Sequence, residues 1–416
     1  MVGETGVVRW RTMNLLFVHQ HFPGQFLHLA AALARAGHAV VFVTEASSGG
    51  EMWGVSKVAY RLSPASSRTH PDARHFDAAM RRAAAVAEVA AGLRAAGFQP
   101  DMIVGHEGWG ETLNLADIWP DTPLLGYREY FYHAEGADVG FDPEFPVTPA
   151  QRAGVRAKNA VGLLALLRGT PGVAPTAWQR SLYPAWAREL IQVVPDGVDL
   201  DACRPDPRAR AAPLTLGGIH VGADQRLVTF VARDLEPYRG FHTFARALPR
   251  LLARPDVQVI CVGGDGVSYG LPPPAGTWRG RMMVEIGGRI DRSRLHFPGR
   301  IAHADHLAVL RRSDVHAYLS YPFIASWSLR EALACGCAVV AGDTEPAREV
   351  VADDETGVLS PCLDPDAVAD RVLALLDDHG RRARIQRAAR AFAEEAMPMS
   401  RHLAGWDALF HNVVRH

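Results

Sequence analysis

Apolar residues in this chain fall into short solid runs separated by stretches of helical spacing. Leu15–Val18 is wholly apolar, the mark of a strand buried on both faces of a parallel sheet. A loop from His19 to Gln25 follows, then Phe26, Leu29, Ala30 and Leu33 at helical spacing, with Gly37 as the C-terminal stop. Ala39–Thr44 is the next strand, so the chain opens with a β-loop-α-β unit. Met102–Val104 and Leu124–Tyr127 predict further strands, a helix is expected around Arg152–Arg168, and Gly172–Ala174 and Ile191–Val194 predict two more strands. The turn Pro195–Asp199 then breaks the series, and Arg204–Gly218, rich in Pro, Arg, Ala and Gly, has the composition of a linker.

A second series begins at the strand Leu227–Ala232 and the helical face Phe241, Phe244, Ala245 and Leu248. Strands follow at Val257–Val262, Leu295–Phe297, Val315–Leu319 and Ala338–Ala341, with a helix over Pro365–Asp378. The pattern predicts an α/β protein of two doubly wound, Rossmann-like domains facing across a cleft, where ligands commonly bind. The expected domains are 13–200 and 201–395, with 396–416 a C-terminal helix packing back toward the first.

A length of 416 residues agrees with two domains, and 48% hydrophobic residues suffice for two cores. The formal net charge of −1 gives no global case for nucleic acid or a polybasic membrane anchor. Five cysteines form no spaced framework, and Cys335-Gly-Cys337 reads as a buried structural turn. Reduced thiols fit a cytoplasmic protein. No apolar run approaches the length of a membrane span, so contact with the inner membrane face is at most peripheral. Met1 to Thr12 lacks a signal core; Met13 is expected to start the domain, with the first twelve residues loosely ordered.

The candidate chemistry lies in the second series. Val228–Gly240 reads as a strand delivering Arg233 to its carboxyl end, then a loop carrying Arg239. Arginine forks match phosphate oxygens and stay charged at neutral pH, and ligands of open α/β sheets bind at strand carboxyl ends. In Ser320–Gly336 a helix is expected to start near Ser326 to Ser328, where its free N–H groups form an anion site. Glu331, one turn in, is placed to accept hydrogen bonds from a ribose diol.

These segments resemble the family-4 glycosyltransferases of GT-B fold over nearly the whole chain, from Met13 to about Leu409. The resemblance rests on Phe22-Pro-Gly-Gln25, Val194-Pro-Asp-Gly-Val-Asp199, the Arg233/Arg239 loop and Leu329–Ala341, which is similar to the family signature L-x-E-A-M-A-x-G-x-P-V-V. Gly264-Asp-Gly266 is a weaker likeness. The resemblance implies a retaining, hexosyl-type transfer from a UDP- or GDP-sugar to an acceptor hydroxyl, without metal or other cofactor. By that likeness Arg233 and Arg239 hold the diphosphate. Ser326, Trp327, Ser328 and Leu329 also bind the donor, with Gly264 and Asp265 alongside. Glu331 takes the ribose, and Gly24 lets its loop approach the donor. The implied acceptor is a glycan, a lipid-linked sugar or a small molecule.

Two departures stand out. Members usually carry a glutamate where this chain has Phe323, a pattern similar to the bacterial exopolysaccharide-type sub-branch. Many place a histidine at the position of Glu129, with His133 four residues on. Glu129 and His133 are therefore candidates for contact with the reacting sugar, and His106-Glu107 a weaker pair. Trp109, Tyr130, Phe131 and Tyr132 could stack on an acceptor. His19 and His21 lack a carboxylate partner in sequence and read as packed or cleft-lining rather than metal ligands. The competing readings are a sugar-nucleotide epimerase and a non-catalytic nucleotide-sugar- or glycan-binding relative.

Overall fold

The computed structural model describes residues 12–414; the expectation for the N-terminal segment therefore lies outside the described residues, Thr12 excepted. The described chain divides into two compact units. The first comprises 12–134, Val147–Pro195 and the chain from Leu403 onward, and the second comprises Glu135–Pro146 and Asp196–His402.

The first unit holds a seven-stranded sheet: β1 (Asn14–Val18), β2 (Ala39–Glu45), β3 (Val55–Tyr60), β4 (Met102–His106), β5 (Leu124–Tyr127), β6 (Gly172–Ala174) and β7 (Ile191–Val193). All pairs are parallel, in the order β3-β2-β1-β4-β5-β6-β7. Leu15, Leu16, Phe17 and Val18 are completely buried, as a run apolar on both faces requires. Several elements have no counterpart in the sequence reading, among them β3 and the helix Arg74–Ala95. β3 is an edge strand with an exposed Lys57, and the helix Arg74–Ala95 buries mostly alanines, Ala79, Ala83 and Ala90 around Val86. Alanine gives little contrast between faces, so the helical period is faint. The helix expected from Arg152 starts at Pro149. Thr148 and Gln151 close a reciprocal capping box there, each side chain bonding the other's backbone N–H at 3.2 and 2.8 Å. From the C-terminal helix, Trp406, Leu409 and Phe410 enter this unit's core.

The second unit holds β10 (Arg226–Asp234), β11 (Val257–Gly264), β12 (Leu295–Gly299), β13 (Val315–Tyr318), β14 (Ala338–Gly342) and β15 (Val358–Ser360), all parallel, in the order β12-β11-β10-β13-β14-β15. The expected linker Arg204–Gly218 is structured. It contains the helix Pro207–Ala211 and runs into an antiparallel hairpin, β8 (Leu214–Leu216) and β9 (Ile219–Val221). Gly217 and Gly218 both have positive φ, which a tight hairpin turn demands.

One stretch of the expected N-terminal domain belongs to the second unit instead. Asp138 accepts from Tyr238 Oη at 2.9 Å, Asp142 from His242 Nε2 at 2.7 Å and Tyr321 Oη at 2.5 Å, and Glu144 from Arg246. The acidic residues of Glu135–Pro146 thus find their partners there, which is why this segment clusters with 196–402.

Each sheet reverses its strand order once, between β1 and β4 and between β10 and β13. Loops diverge at such a switch point and leave a crevice beyond the carboxyl ends of the strands.

Candidate functional site

At the switch point of the second unit, Arg239 Nη1 donates to Ser320 Oγ at 3.3 Å, joining the loop after β10 to the loop after β13. Gly240 makes this approach possible: its φ is +73°, and a Cβ there would lie 2.2 Å from the Leu319 carbonyl oxygen. The Arg239 guanidinium lies over the Tyr269 ring, 4.8 Å from its centre. Although Arg239 is only 8% exposed, it forms no ion pair with a described residue. A buried guanidinium without a counter-ion is costly unless an anion joins it. Arg233, at the end of the same strand, is exposed and likewise unpaired among the described residues.

Glu236 builds the floor of this loop. Its buried carboxylate accepts the N–H groups of Ser268, Tyr269 and Gly270 at 3.1, 3.2 and 3.0 Å. Burial pushes its pKa up against those three donors. The contact fixes the segment that carries Tyr269. Sequence reasoning missed this role, because the distance along the chain between Glu236 and its partners leaves no local pattern.

The helix Trp327–Ala334 begins after Ser326, whose hydroxyl bonds Ser328 Oγ at 2.7 Å instead of capping a backbone N–H. The Ser326 side chain therefore does not cap the helix; the Ser326 N–H donates to Tyr318 Oη at 3.1 Å, and the Ser326 carbonyl accepts from Leu329 N–H at 3.2 Å. Glu331 is held on both oxygens, by His303 Nε2 at 2.7 Å and His306 Nε2 at 3.0 Å. Burial raises its pKa, but the two imidazole bonds outweigh burial and hold it below the ordinary carboxylate range. The two histidines sit three residues apart on one helix, a spacing that could have flagged them.

Other candidates are placed differently. Asp265 is exposed and paired with Arg279. Gly264 makes room for a neighbour: a Cβ would lie 2.6 Å from Asp234 Oδ1 and 2.8 Å from Arg300 Nε. Phe323 is buried against Tyr269 and Tyr238, with ring centres at 4.8 and 6.1 Å. The usual glutamate position is thus part of an aromatic cluster.

At the switch point of the first unit, His19 follows β1 and His106 ends β4, their ring centres 5.2 Å apart. Glu129, just past β5, accepts from Gln25 Nε2 at 2.6 Å and from His106 Nε2 at 3.4 Å. Burial raises its pKa, and the His106 and Gln25 bonds reverse that to a net lowering. His19 Nδ1 lies 2.8 Å from both the N–H and the carbonyl of His21, while its Nε2 is buried without a hydrogen-bond partner among the described residues. Burial, then His106, pull its pKa down to about 3. Gly24 lies against this ring: a Cβ would fall 2.7 Å from it, and φ is +53°. His133 turns away, its Nε2 donating to the Leu182 carbonyl at 2.7 Å. Glu107 pairs with the buried Arg128 at 2.7 Å. Glu129, Tyr130, Phe131, Tyr132 and Lys158 line a cavity beside His106, and Trp109 stacks on the His106 ring.

Family models match both units. Residues 36–203 match the glycosyl transferase family 4 group and residues 220–392 match glycosyl transferases group 1. The chain belongs to the family-4 glycosyltransferases. This family-4 chain is 32% identical over 211 residues to a phosphatidyl-myo-inositol mannosyltransferase of Mycolicibacterium smegmatis, covering 50% of itself and 47% of that protein. The chain spans about half the length of the curated relatives it matches. In fold it is similar to sucrose-phosphate synthase from Thermosynechococcus elongatus, with a TM-score of 0.74, 18% identity and coverage of 96% and 98% of the two chains. Anabaena HepE, solved with UDP and glucose, aligns with a TM-score of 0.67, 20% identity and coverage of 96% and 99%. These likenesses give the α/β fold its class, GT-B with two Rossmann-like units. No described helix is long and apolar enough to cross a membrane.

Proposed function

We propose that the chain transfers a sugar from a nucleoside-diphosphate donor to an acceptor hydroxyl. The observation that carries this reading is Arg239, buried at a switch point and lacking a carboxylate partner among the described residues. In the transfer the bond from the anomeric carbon to the diphosphate oxygen breaks, and a bond to the acceptor oxygen forms. The acceptor's proton passes to the leaving diphosphate. Negative charge grows on that diphosphate, and Arg239, Arg233 and the N-terminus of the helix Trp327–Ala334 would stabilise it without requiring a metal. Preorganised donors of this kind are typically the largest catalytic term.

Glu331 would take the nucleotide ribose, one lone pair on each oxygen remaining after the His303 and His306 bonds. Family membership supports retention at the anomeric carbon and a hexosyl donor. The UDP in HepE makes uridine the first base to test. Glu129 and the aromatic cavity beside it would meet the sugar or a glycan, lipid-linked or small-molecule acceptor. The place of work would be cytoplasmic, with membrane contact at most peripheral.

Thermal stabilisation by UDP, GDP, ADP and TDP, measured on wild type and Arg239→Ala, tests the diphosphate assignment. A shift with one base, lost in the variant, is the expected result; no shift with any base sinks it. Sugar release and transfer from the matching donor then test catalysis, with the anomeric configuration of the product read by NMR. Binding without turnover would leave a non-catalytic relative.

A further inference from the structure

Glu331 has a third neighbour, Cys203, which is buried in the apolar cluster with Leu333 and Cys335. Cys203 Sγ, a His303 imidazole nitrogen and a Glu331 carboxylate oxygen all lie within 4.8 Å of one another. The loop carrying Cys203 is ordered by Asp199, whose carboxylate accepts from Ala202 N–H at 2.9 Å and whose carbonyl accepts from Cys203 N–H at 2.7 Å. His303 comes from the helix His303–Arg312 and Glu331 from the helix Trp327–Ala334, so three separate elements converge.

Thiolate, imidazole and carboxylate together are the ligand set of zinc and similar borderline ions, which carboxylate clusters alone do not select. Ligands on a tetrahedral ion stand roughly 3.3 Å apart, given bonds of about 2.0–2.3 Å. The present span needs only side-chain adjustment to reach that. His306 adds what a ligating carboxylate usually has, a hydrogen bond at 3.0 Å to the second oxygen that fixes its rotation. His303 is 61% exposed, so an ion can arrive from solvent. Charge also closes: a thiolate and a carboxylate neutralise a divalent ion.

We propose that Cys203, His303 and Glu331 form a binding site for a divalent transition-metal ion of the zinc type, with His306 orienting the carboxylate and one coordination position left open. The other cluster of similar composition, Asp142, Glu144 and His242, is already closed by Arg246 on Glu144 and by Tyr321 on Asp142. An ion here would occupy the carboxylate assigned above to the ribose and so oppose donor binding. That consequence rests on the donor reading; the site itself does not.

Titration of the full chain with Co2+, with no nucleotide present, reads the site directly. The expected result is a near-ultraviolet thiolate-to-cobalt absorption that saturates at one ion per chain. Cys203→Ser abolishes it, and His303→Ala weakens binding at least tenfold. His303 is exposed, so that variant tests the site even if Cys203→Ser fails to fold. Absence of the band in wild type, or its survival unchanged in His303→Ala, overturns the proposal.

Discussion

Arg239 holds its guanidinium 4.8 Å from the centre of the Tyr269 ring, and Glu236 pins the backbone N–H of Tyr269 at 3.2 Å. The cation is thus oriented by a face whose own position is set by a buried carboxylate. A lysine would keep the charge but lose the planar stack and the fork. Arg239→Lys is therefore expected to lower nucleotide affinity by about 1–2 kcal/mol, roughly five- to thirtyfold. Calorimetric titration with UDP checks this. Equal affinity in the two proteins would mean that charge alone serves.

Tyr269 depends on Glu236 in turn. Glu236→Ala leaves three N–H groups without their acceptor, at about 1–3 kcal/mol for a buried unsatisfied group. The loop 268–270 should loosen, and hydrogen exchange at those amides should rise in the variant. Unchanged protection there would remove Glu236 from the architecture of the site.

His19 makes stability depend on pH. Its folded-state pKa of about 3 lies below the unfolded value near 6.5, so between those values the unfolded chain binds the extra proton. Stability is full above about pH 6.5 and falls as pH drops toward 3, by at most roughly 1.4 kcal/mol per unit. His19→Asn removes this titration. Urea midpoints at pH 7 and pH 5 should therefore converge for the variant and separate for wild type. Equal pH sensitivity would show that His19 does not titrate in this way.

How much of this could be read from the chain follows from where the partners lie in sequence. Apolar runs such as Leu15–Val18 and Val257–Val262 announced parallel strands, because burial on both faces leaves no alternation to misread. Arg239, Gly240 and the helix start at Ser326 were legible because strand, turn and cap are local signals. β3 and the helix Arg74–Ala95 were not, since an edge strand and an alanine-rich face carry little contrast. The linker reading of 204–218 failed because two glycines suit a hairpin turn as well as a flexible joint. The grip of His303 and His306 on Glu331, 28 and 25 residues away along the chain, and the approach of Cys203 exist only after the sheet forms. So does the seating of Glu135–Pro146 on the second unit, whose acidic residues gave no hint of their partners.

Asp142 anchors that segment. It accepts from both His242 and Tyr321, and burial, which raises its pKa, is outweighed by these two bonds so that it stays ionised. Replacing Asp142 by Ala leaves both buried donors without their acceptor and removes the middle attachment of 135–146. Limited proteolysis within this segment should become faster in Asp142→Ala, while the core of the second unit keeps its protection. A segment as resistant as in wild type would mean that Asp138 and Glu144 suffice to hold it.

Phe323 stands where the family usually has a glutamate, and its surroundings argue against simple restoration. Its ring packs at 4.8 Å from Tyr269 and 6.1 Å from Tyr238, and its N–H bonds the Tyr321 carbonyl. A carboxylate in this buried cluster would either lose its charge or draw Arg239 away from the diphosphate position. Phe323→Ala removes the packing that backs Tyr269, at about 3–5 kcal/mol for a buried phenylalanine. Both Phe323→Glu and Phe323→Ala are thus expected to weaken UDP binding and lower the melting temperature, with Phe323→Leu closest to wild type. Tighter UDP binding or faster sugar transfer by Phe323→Glu would instead mean that this chain retains a vacancy for the missing glutamate, and that the aromatic cluster supports Arg239 without replacing that residue's contact to the sugar.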